Sequence, residues 1–447
     1  MIENTNEKQA RQEILRQVAI YYHQFHKIKS EYKTGDWLPY ASRVYNEHEM
    51  INLVDSALDF WLTSGRYTET FEYDFCQYIG IQYCSLVNSG SSANLLAFMA
   101  LTSPLIEKER RIFRGDEIIT LAAGFPTTVA PIIQFGAIPI FVDVTIPQYN
   151  INTSLLNKAI SHKTKAVFIA HTMGNPFNIT DVKAFCDLNN LWLIEDNCDA
   201  LGSQYEVNGI MKYTGTFGDI GTSSFYPPHH MTMGEGGAVY TSNALLHKII
   251  RSLRDRGRDC VCPSGKDNMC GNRFNRQYGE LPSGYDHKYI YSHFGYNMKA
   301  TDMQAAIGVA QLKKMPIFVR RRQENFKKLH YALSSCTNKL ILPEPCPDSL
   351  PSWFGFLMTC RDGVNRNEVV KMIEANGIQT RSLFAGNIIK HPCFDEMRTT
   401  SKEYRIIGDL NETDRIMNNS FWVGIYPGMT DKAINYIAEN IRNIINK

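Results

Sequence analysis

Residues 223–237 read Ser-Ser-Phe-Tyr-Pro-Pro-His-His-Met-Thr-Met-Gly-Glu-Gly-Gly, a strand end, a tight polar loop and a glycine hinge into the apolar run Ala238-Val-Tyr-Thr. Imidazoles at His229 and His230 could move a proton near neutral pH. On residue types alone the pair could equally line a polar loop. A second reactive set is Cys260-Val-Cys262, with Cys270 after seven further residues, in a loop containing glycine and proline. Thiolate ligation explains that spacing better than coincidental core cysteines do. Three thiolates need a fourth ligand, and both zinc and an iron–sulfur cluster accept such a set.

The elements around these residues predict an α/β chain. From residue 84 to about 255, short apolar runs alternate with helical segments: Ser85-Leu-Val, Glu117-Ile-Ile-Thr-Leu, Ile138-Pro-Ile-Phe-Val, Ala166-Val-Phe-Ile-Ala and Leu191-Trp-Leu-Ile. That pattern predicts a mainly parallel sheet covered on both faces, with ligand groups gathered at the carboxyl ends of its strands. After the first run, Asn88-Ser-Gly90-Ser91-Ser92-Ala-Asn opens a helix and could surround a phosphate with amides and hydroxyls, or act as an ordinary cap. Later ends carry Gly124-Phe125-Pro-Thr-Thr, His171-Thr-Met-Gly-Asn-Pro and Glu195-Asp196-Asn-Cys198-Asp. Upstream, helical spacing covers residues 5–28, where packing is the simplest role, a helix is also expected over 47–63, and Tyr67 to Ile79 follows with mixed aromatic and acidic character. One helix is expected from Val309 through Met315 into Arg320.

The chain has 447 residues, with 47 basic against 45 acidic side chains, so wholesale attraction to nucleic acid or membrane is not expected. The first residues lack a signal-peptide pattern and no apolar run approaches a membrane span, which predicts a cytoplasmic protein. Its eleven cysteines are then thiols rather than disulfides.

The stretch Ser224 to Gly237 resembles the cofactor segment of sugar-nucleotide aminotransferases with the aspartate-aminotransferase fold (PLP-dependent transferase fold type I), in which a lysine precedes a Gly-x-Gly-Gly turn. Here His229 holds the lysine's place. Imidazole forms no stable imine, so the resemblance implies non-covalent pyridoxamine phosphate with His229 as proton carrier. Carried over from the family are Gly90, Ser91, Ser92 and Ser224 around the phosphate, Phe125 over the ring and Asp196 at the pyridine nitrogen. Asn297, next to Lys299, would reach the phosphate across a homodimer interface. Tyr226, His230, Lys299, Phe354 and Arg381 are candidate substrate contacts, Arg381 suiting an anionic nucleotide diphosphate.

With Cys198 as fourth ligand beside Cys260, Cys262 and Cys270, the ensemble resembles the CDP-4-keto-6-deoxyglucose 3-dehydrase family. Its enzymes use pyridoxamine phosphate and a 2Fe-2S cluster in 3,6-dideoxysugar synthesis for lipopolysaccharide. The resemblance implies loss of the C3 hydroxyl from a CDP-linked sugar, His229 taking a proton from the cofactor's C4′ carbon. Electrons would then arrive from a flavin iron–sulfur reductase, whose acidic surface Arg254, Arg256, Arg258 and Lys266 would attract. The expected organisation is an N-terminal helical segment (1–40), a large cofactor domain (41–319) and a smaller C-terminal α+β domain (320–447). The segment Tyr205 to Thr214 is longer than the family pattern and is read as a surface turn. Rival readings are a 3-dehydratase without redox function, a lysine-dependent aminotransferase, and a silent sugar-nucleotide binder with structural zinc.

Overall fold

Eight strands form one sheet in the order Tyr83–Val87, Gly237–Thr241, Ile220–Ser224, Trp192–Asp196, Thr164–Ala170, Glu117–Leu121, Ile138–Val142 and Arg405–Ile407. Gly237–Thr241 runs antiparallel to both neighbours, and every other pairing is parallel. The computed structural model describes residues 5–27, 32–33, 35–260, 262, 264–269, 271–400 and 402–446.

Each run foreseen in the sequence forms a strand, because its residues are apolar on both faces and both faces are covered. Ile118, Ala166, Phe168 and Ile194 face helices Gly90–Ala100 and Ala244–Arg254. Their sequence neighbours Ile119, Val167, Ile169 and Leu193 face helix Ile179–Leu188 through Val182 and Phe185. The strand Arg405–Ile407 was not foreseen: three residues are too few to show a period, and its neighbour lies far back in the chain.

The C-terminal region builds a second, four-stranded sheet in the order Leu340–Ile341, Gly355–Cys360, Ser420–Gly424, Thr380–Arg381. Helices Met315–Leu333 and Asp431–Ile445 back it through Phe326, Leu329, Ile434 and Ile441. The single helix expected across residues 309–320 is two, Asp302–Leu312 and Met315–Leu333. Pro316, in the first turn of the second, lacks the N–H that would continue the first.

At the N-terminus, helix Thr5–Phe25 is tied to helix Glu47–Asp59 by Arg11, which donates to Asp55 and Asp59. The expected packing covers one side only, since Ile14, Tyr21 and Phe25 remain exposed. No helix of the described residues is long and apolar enough to cross a membrane.

The segment Tyr205 to Thr214 is a hairpin, Gln204–Val207 with Ile210–Tyr213, turned by Asn208 and Gly209 at φ 53° and 76°. Its first strand also pairs with Ser349–Leu350, which leads into residues 351–354. These four residues form a strap laid across the large sheet's loops. The Ser352 amide donates to Ser203 Oγ at 2.7 Å, and the Phe354 amide donates to the Met173 carbonyl at 2.9 Å. Gly174 makes this contact possible. Its φ is +86°, and a Cβ there would lie 2.2 Å from the Ser352 carbonyl oxygen. A Gly174→Ala chain should therefore lose about 1–3 kcal/mol in chemical denaturation. An unchanged midpoint would mean that the strap is free to move off the loop.

Candidate active site

At the carboxyl ends of the strands lies a cleft of about 540 Å³, roofed by Phe354, Arg381 and Trp422 of the C-terminal region. One wall is a cradle at the start of helix Gly90–Ala100. Gly90, Ser91 and Ser224 line the cleft. A Cβ on Gly90 would sit 2.4 Å from the Ser224 Cβ, so only glycine brings this helix end against the strand that carries Ser224. The backbone amides of such an end favour an anionic group. Ser92, expected in the same role, does not line the cleft: its amide and hydroxyl engage Ser89 Oγ at 3.1 and 3.0 Å. Its hydrogen bonds are spent on the helix cap.

Asp196 ends strand Trp192–Asp196 and reaches the cleft floor. Its Oδ2 accepts from Asn94 Nδ2 at 2.8 Å and Thr128 Oγ1 at 2.7 Å, and its Oδ1 accepts from the Cys198 amide at 3.1 Å. These donors fix the carboxylate's direction. Sequence reasoning quoted Asn94 and Thr128 within their loops but gave them no task; their signal was a polar side chain one helical turn into each helix. His171 lies off the cleft. It is fully buried against Glu195 at 2.9 Å, while Glu195 also accepts the Gly215 and Phe217 amides. The loop face toward the cleft is Ala170 and Thr172 instead.

His229 lines the cleft with its ring 5.4 Å from Phe354 and 6.4 Å, edge on, from Tyr226. Its Nδ1 lies 3.4 Å from Asp199 Oδ1, off the hydrogen-bond axis, so that the buried nitrogen has no hydrogen-bond partner. Burial pushes the imidazole down to about 4, outweighing the upward pull of Asp196. Burial also raises Asp199 well above the carboxylate range, and the charge of Asp196 adds to it. Burial thus disfavours charge on both partners. No lysine lines the cleft among the described residues.

His230, expected to contact substrate, is turned out of the cleft and bonds the Ser352 carbonyl through Nε2 at 2.6 Å. It fastens the loop to the strap. Phe125 is half exposed at the mouth and meets Phe384 edge on at 5.7 Å. Arg381 stands over the Tyr40 ring at 4.4 Å, and both line the cleft. Asn297 and Lys299 lie outside the cleft of this chain, with Lys299 Nζ 2.7 Å from Asp255 and 3.2 Å from Asn297.

Of the expected thiolate set, Cys198, Cys260 and Cys262 fall within the described residues. Among the described residues no three His, Cys, Asp or Glu side chains form a metal-holding group, and Cys270 lies outside those residues. Cys198 belongs to the cleft, where burial and the charge of Asp196 push its thiol well up. The loop that follows Cys260 and Cys262 is held by Ser264 on Ser64, Lys266 on Glu69 and Gly265 beside Trp61. Nor is the basic run a free surface. Arg254 is buried on Glu72 and the Leu86 carbonyl, and Arg256 and Arg258 pair with Asp255.

A family model, "DegT/DnrJ/EryC1/StrS aminotransferase family", matches residues 44–442. The chain belongs to that family. Among its members, the lipopolysaccharide biosynthesis protein RfbH of Salmonella typhimurium is 54% identical over 403 residues, covering 90% of each chain. The dTDP-4-dehydro-2,6-dideoxy-D-glucose 3-dehydratase of Saccharopolyspora spinosa is 46% identical over 409 residues, 91% of this chain and 86% of that one. In structure, Escherichia coli GDP-4-keto-6-deoxy-D-mannose-3-dehydratase with bound hydrated PLP superposes with a TM-score of 0.79 at 28% identity, covering 90% of this chain and 99% of that one. The expected aspartate-aminotransferase-like fold is thereby shown.

Substituting Gly90 by alanine should displace Ser224 and weaken pyridoxamine phosphate binding about tenfold or more in an absorbance titration, with far-UV circular dichroism unchanged. Equal affinity would remove the cradle from phosphate binding. The buried imidazole gives a second expectation. His229 titrates near 4 when folded against 6.5 for the free side chain, so it withdraws stability as pH falls from about 6.5 to about 4. A His229→Gln chain should be less acid-sensitive across that window, as read from denaturation midpoints.

Proposed function

We propose that this chain is a pyridoxamine-phosphate dehydrase that removes the C3 hydroxyl of a nucleotide-linked 4-keto-6-deoxyhexose, with CDP as the nucleotide. The observation that carries the reading is His229: a buried, neutral imidazole in a PLP-family cleft whose described lining contains no lysine. The 3-dehydratase names of the Saccharopolyspora and Escherichia relatives support the same reaction class.

When bound, the cofactor supplies an amine for the sugar's C4 ketone and a ring that accepts electrons. Gly90, Ser91 and Ser224 would hold its phosphate, Phe125 would stand by the ring, and Asp196 would answer a protonated ring nitrogen. His229 takes up the proton at Nε2, because Nδ1 is turned to Asp199. The positive charge so created lies beside Asp199, whose Oδ1 stands 3.4 Å from Nδ1. The same Nε2 returns a proton to the departing hydroxyl. Phe354 and Tyr226 hold the imidazole ring, while Arg381 above Tyr40 meets the diphosphate. A homodimer in which the partner's copy of the Asn297 segment completes the phosphate site, and a cytoplasmic location, belong to this proposal.

Reduction through a 2Fe-2S cluster fed by a flavin iron–sulfur reductase is its further half. It rests on the spacing of Cys260, Cys262 and Cys270 with Cys198. The alternative is dehydration without reduction. Iron, acid-labile sulfide and zinc per chain in protein purified without oxygen decide between them. Matching iron and sulfide, lost in Cys260→Ser, supports the reductive half; zinc without sulfide removes it.

For the dehydration itself, His229→Ala should abolish solvent exchange of the C4′ hydrogen in the holoenzyme while pyridoxamine phosphate still binds. Exchange at the wild-type rate would take His229 out of the reaction.

A further inference from the structure

Arg322, on helix Met315–Leu333, is the largest fully buried side chain among the described residues, at 1% exposure. No carboxylate of the described residues forms an ion pair with it, and its Nε has no hydrogen-bond partner. A buried cation so poorly compensated costs several kcal/mol in general, and a well-packed apolar residue would be cheaper. Packing therefore does not explain an arginine here.

The guanidinium's hydrogen bonds do. One nitrogen donates to the carbonyls of Trp353 and Phe354, both at 3.1 Å, and the other donates to the carbonyl of His229 at 3.2 Å. One rigid fork thus joins the backbone of the imidazole's own residue to the backbone of the aromatic residue packed 5.4 Å from that imidazole. The strap bearing Phe354 is fastened elsewhere by Met173, Ser203 and His230, none of which bonds the backbone of His229.

We propose that Arg322 is a positioning residue that fixes His229 against Phe354 and so aims its imidazole into the cleft. The proposal rests on the dehydrase reading of the cleft. Arg322 touches no reacting atom in that reading, because it lies behind the His229 loop and does not line the cleft. Its five donors and planar fork are what the task requires. Lysine keeps the charge but cannot span carbonyls on two segments in one fixed plane.

Arg322→Ala and Arg322→Lys test this in holoenzyme and cofactor-free chain. Pyridoxamine phosphate should bind both variants with wild-type affinity, since the cradle and Asp196 are untouched. Exchange of the C4′ hydrogen should fall about a hundredfold in both, the size of effect that an ångström of misplacement produces. Guanidinium ion, kept below unfolding concentrations, should restore much of the exchange in Arg322→Ala and none in Arg322→Lys. The cofactor-free chains should also lose near-UV circular dichroism from Trp353, which stacks on Phe326 at 3.8 Å, while far-UV spectra stay native. Wild-type exchange in either variant overturns the proposal. So does a loss that guanidinium leaves unchanged in a natively folded Arg322→Ala chain. If the alanine chain fails to fold, Arg322→Lys decides alone: lost exchange with bound cofactor supports positioning, and retained exchange refutes it. A wild-type holoenzyme that shows no exchange sinks the dehydrase reading itself, and this proposal with it.

Discussion

Removing ionisable groups from water is the constraint around which this structure is built. Asp196, Asp199, His229, His230 and Arg322 share one corner where the two sheets meet, and each must be neutralised, bonded or tolerated there. Asp196 is answered by Asn94 and Thr128, and His230 by a strap carbonyl. For Asp199 and His229 burial shifts the balance toward the uncharged forms. Left without a hydrogen-bond partner in this corner are Nδ1 of His229, Nδ1 of His230 and Nε of Arg322. Each orphan costs about 1–3 kcal/mol, a considerable share of the net stability of a typical domain. That cost falls on the two histidines of the loop assigned the proton and on the arginine behind it.

The topology explains how such a corner can exist. Parallel strands deliver their carboxyl ends to one edge, so Asp196 and the loops after Leu121 and Ala170 converge without long excursions. The antiparallel strand Gly237–Thr241 then lets the chain return immediately after the His229 loop, pinning both ends of that loop to the sheet. The remaining side is closed from the second sheet. Its strap crosses at Gly174, so the contact between the domains is also the back wall of the site.

Much of this was legible because it is local. Strands apolar on both faces, the Ser89 cap, the Asn208-Gly209 turn and the glycine-bounded loop of His229 announce themselves by residue type over a few positions. What was not legible depends on separations that a linear pattern does not encode. Arg322 read as one arginine in the run Arg320 to Arg322, yet it is buried while its neighbours lie nearer solvent. Arg254 was taken for surface charge, but it is spent on Glu72 and a strand carbonyl. Pro316 divided a helix that hydrophobic period alone would have run together. The cysteines show the same limit: spacing in sequence brings Cys260 and Cys262 near each other, whereas joining them to Cys198 is a matter of where two distant loops lie.

The edge strand Arg405–Ile407 bears on how the protein is made. It completes the large sheet beside Ile138–Val142, and Arg405 reaches back to Glu117 across 288 residues of sequence. Until the last tenth of the chain has left the ribosome, the strand Ile-Pro-Ile-Phe-Val keeps an open, apolar edge. Such an edge is a template for pairing with other nascent chains, and long loop closures of this kind are slow. Biosynthesis therefore has a vulnerable interval in which the cofactor half of the molecule is nearly assembled and still unsealed, which makes chaperone occupancy during translation a property of this topology.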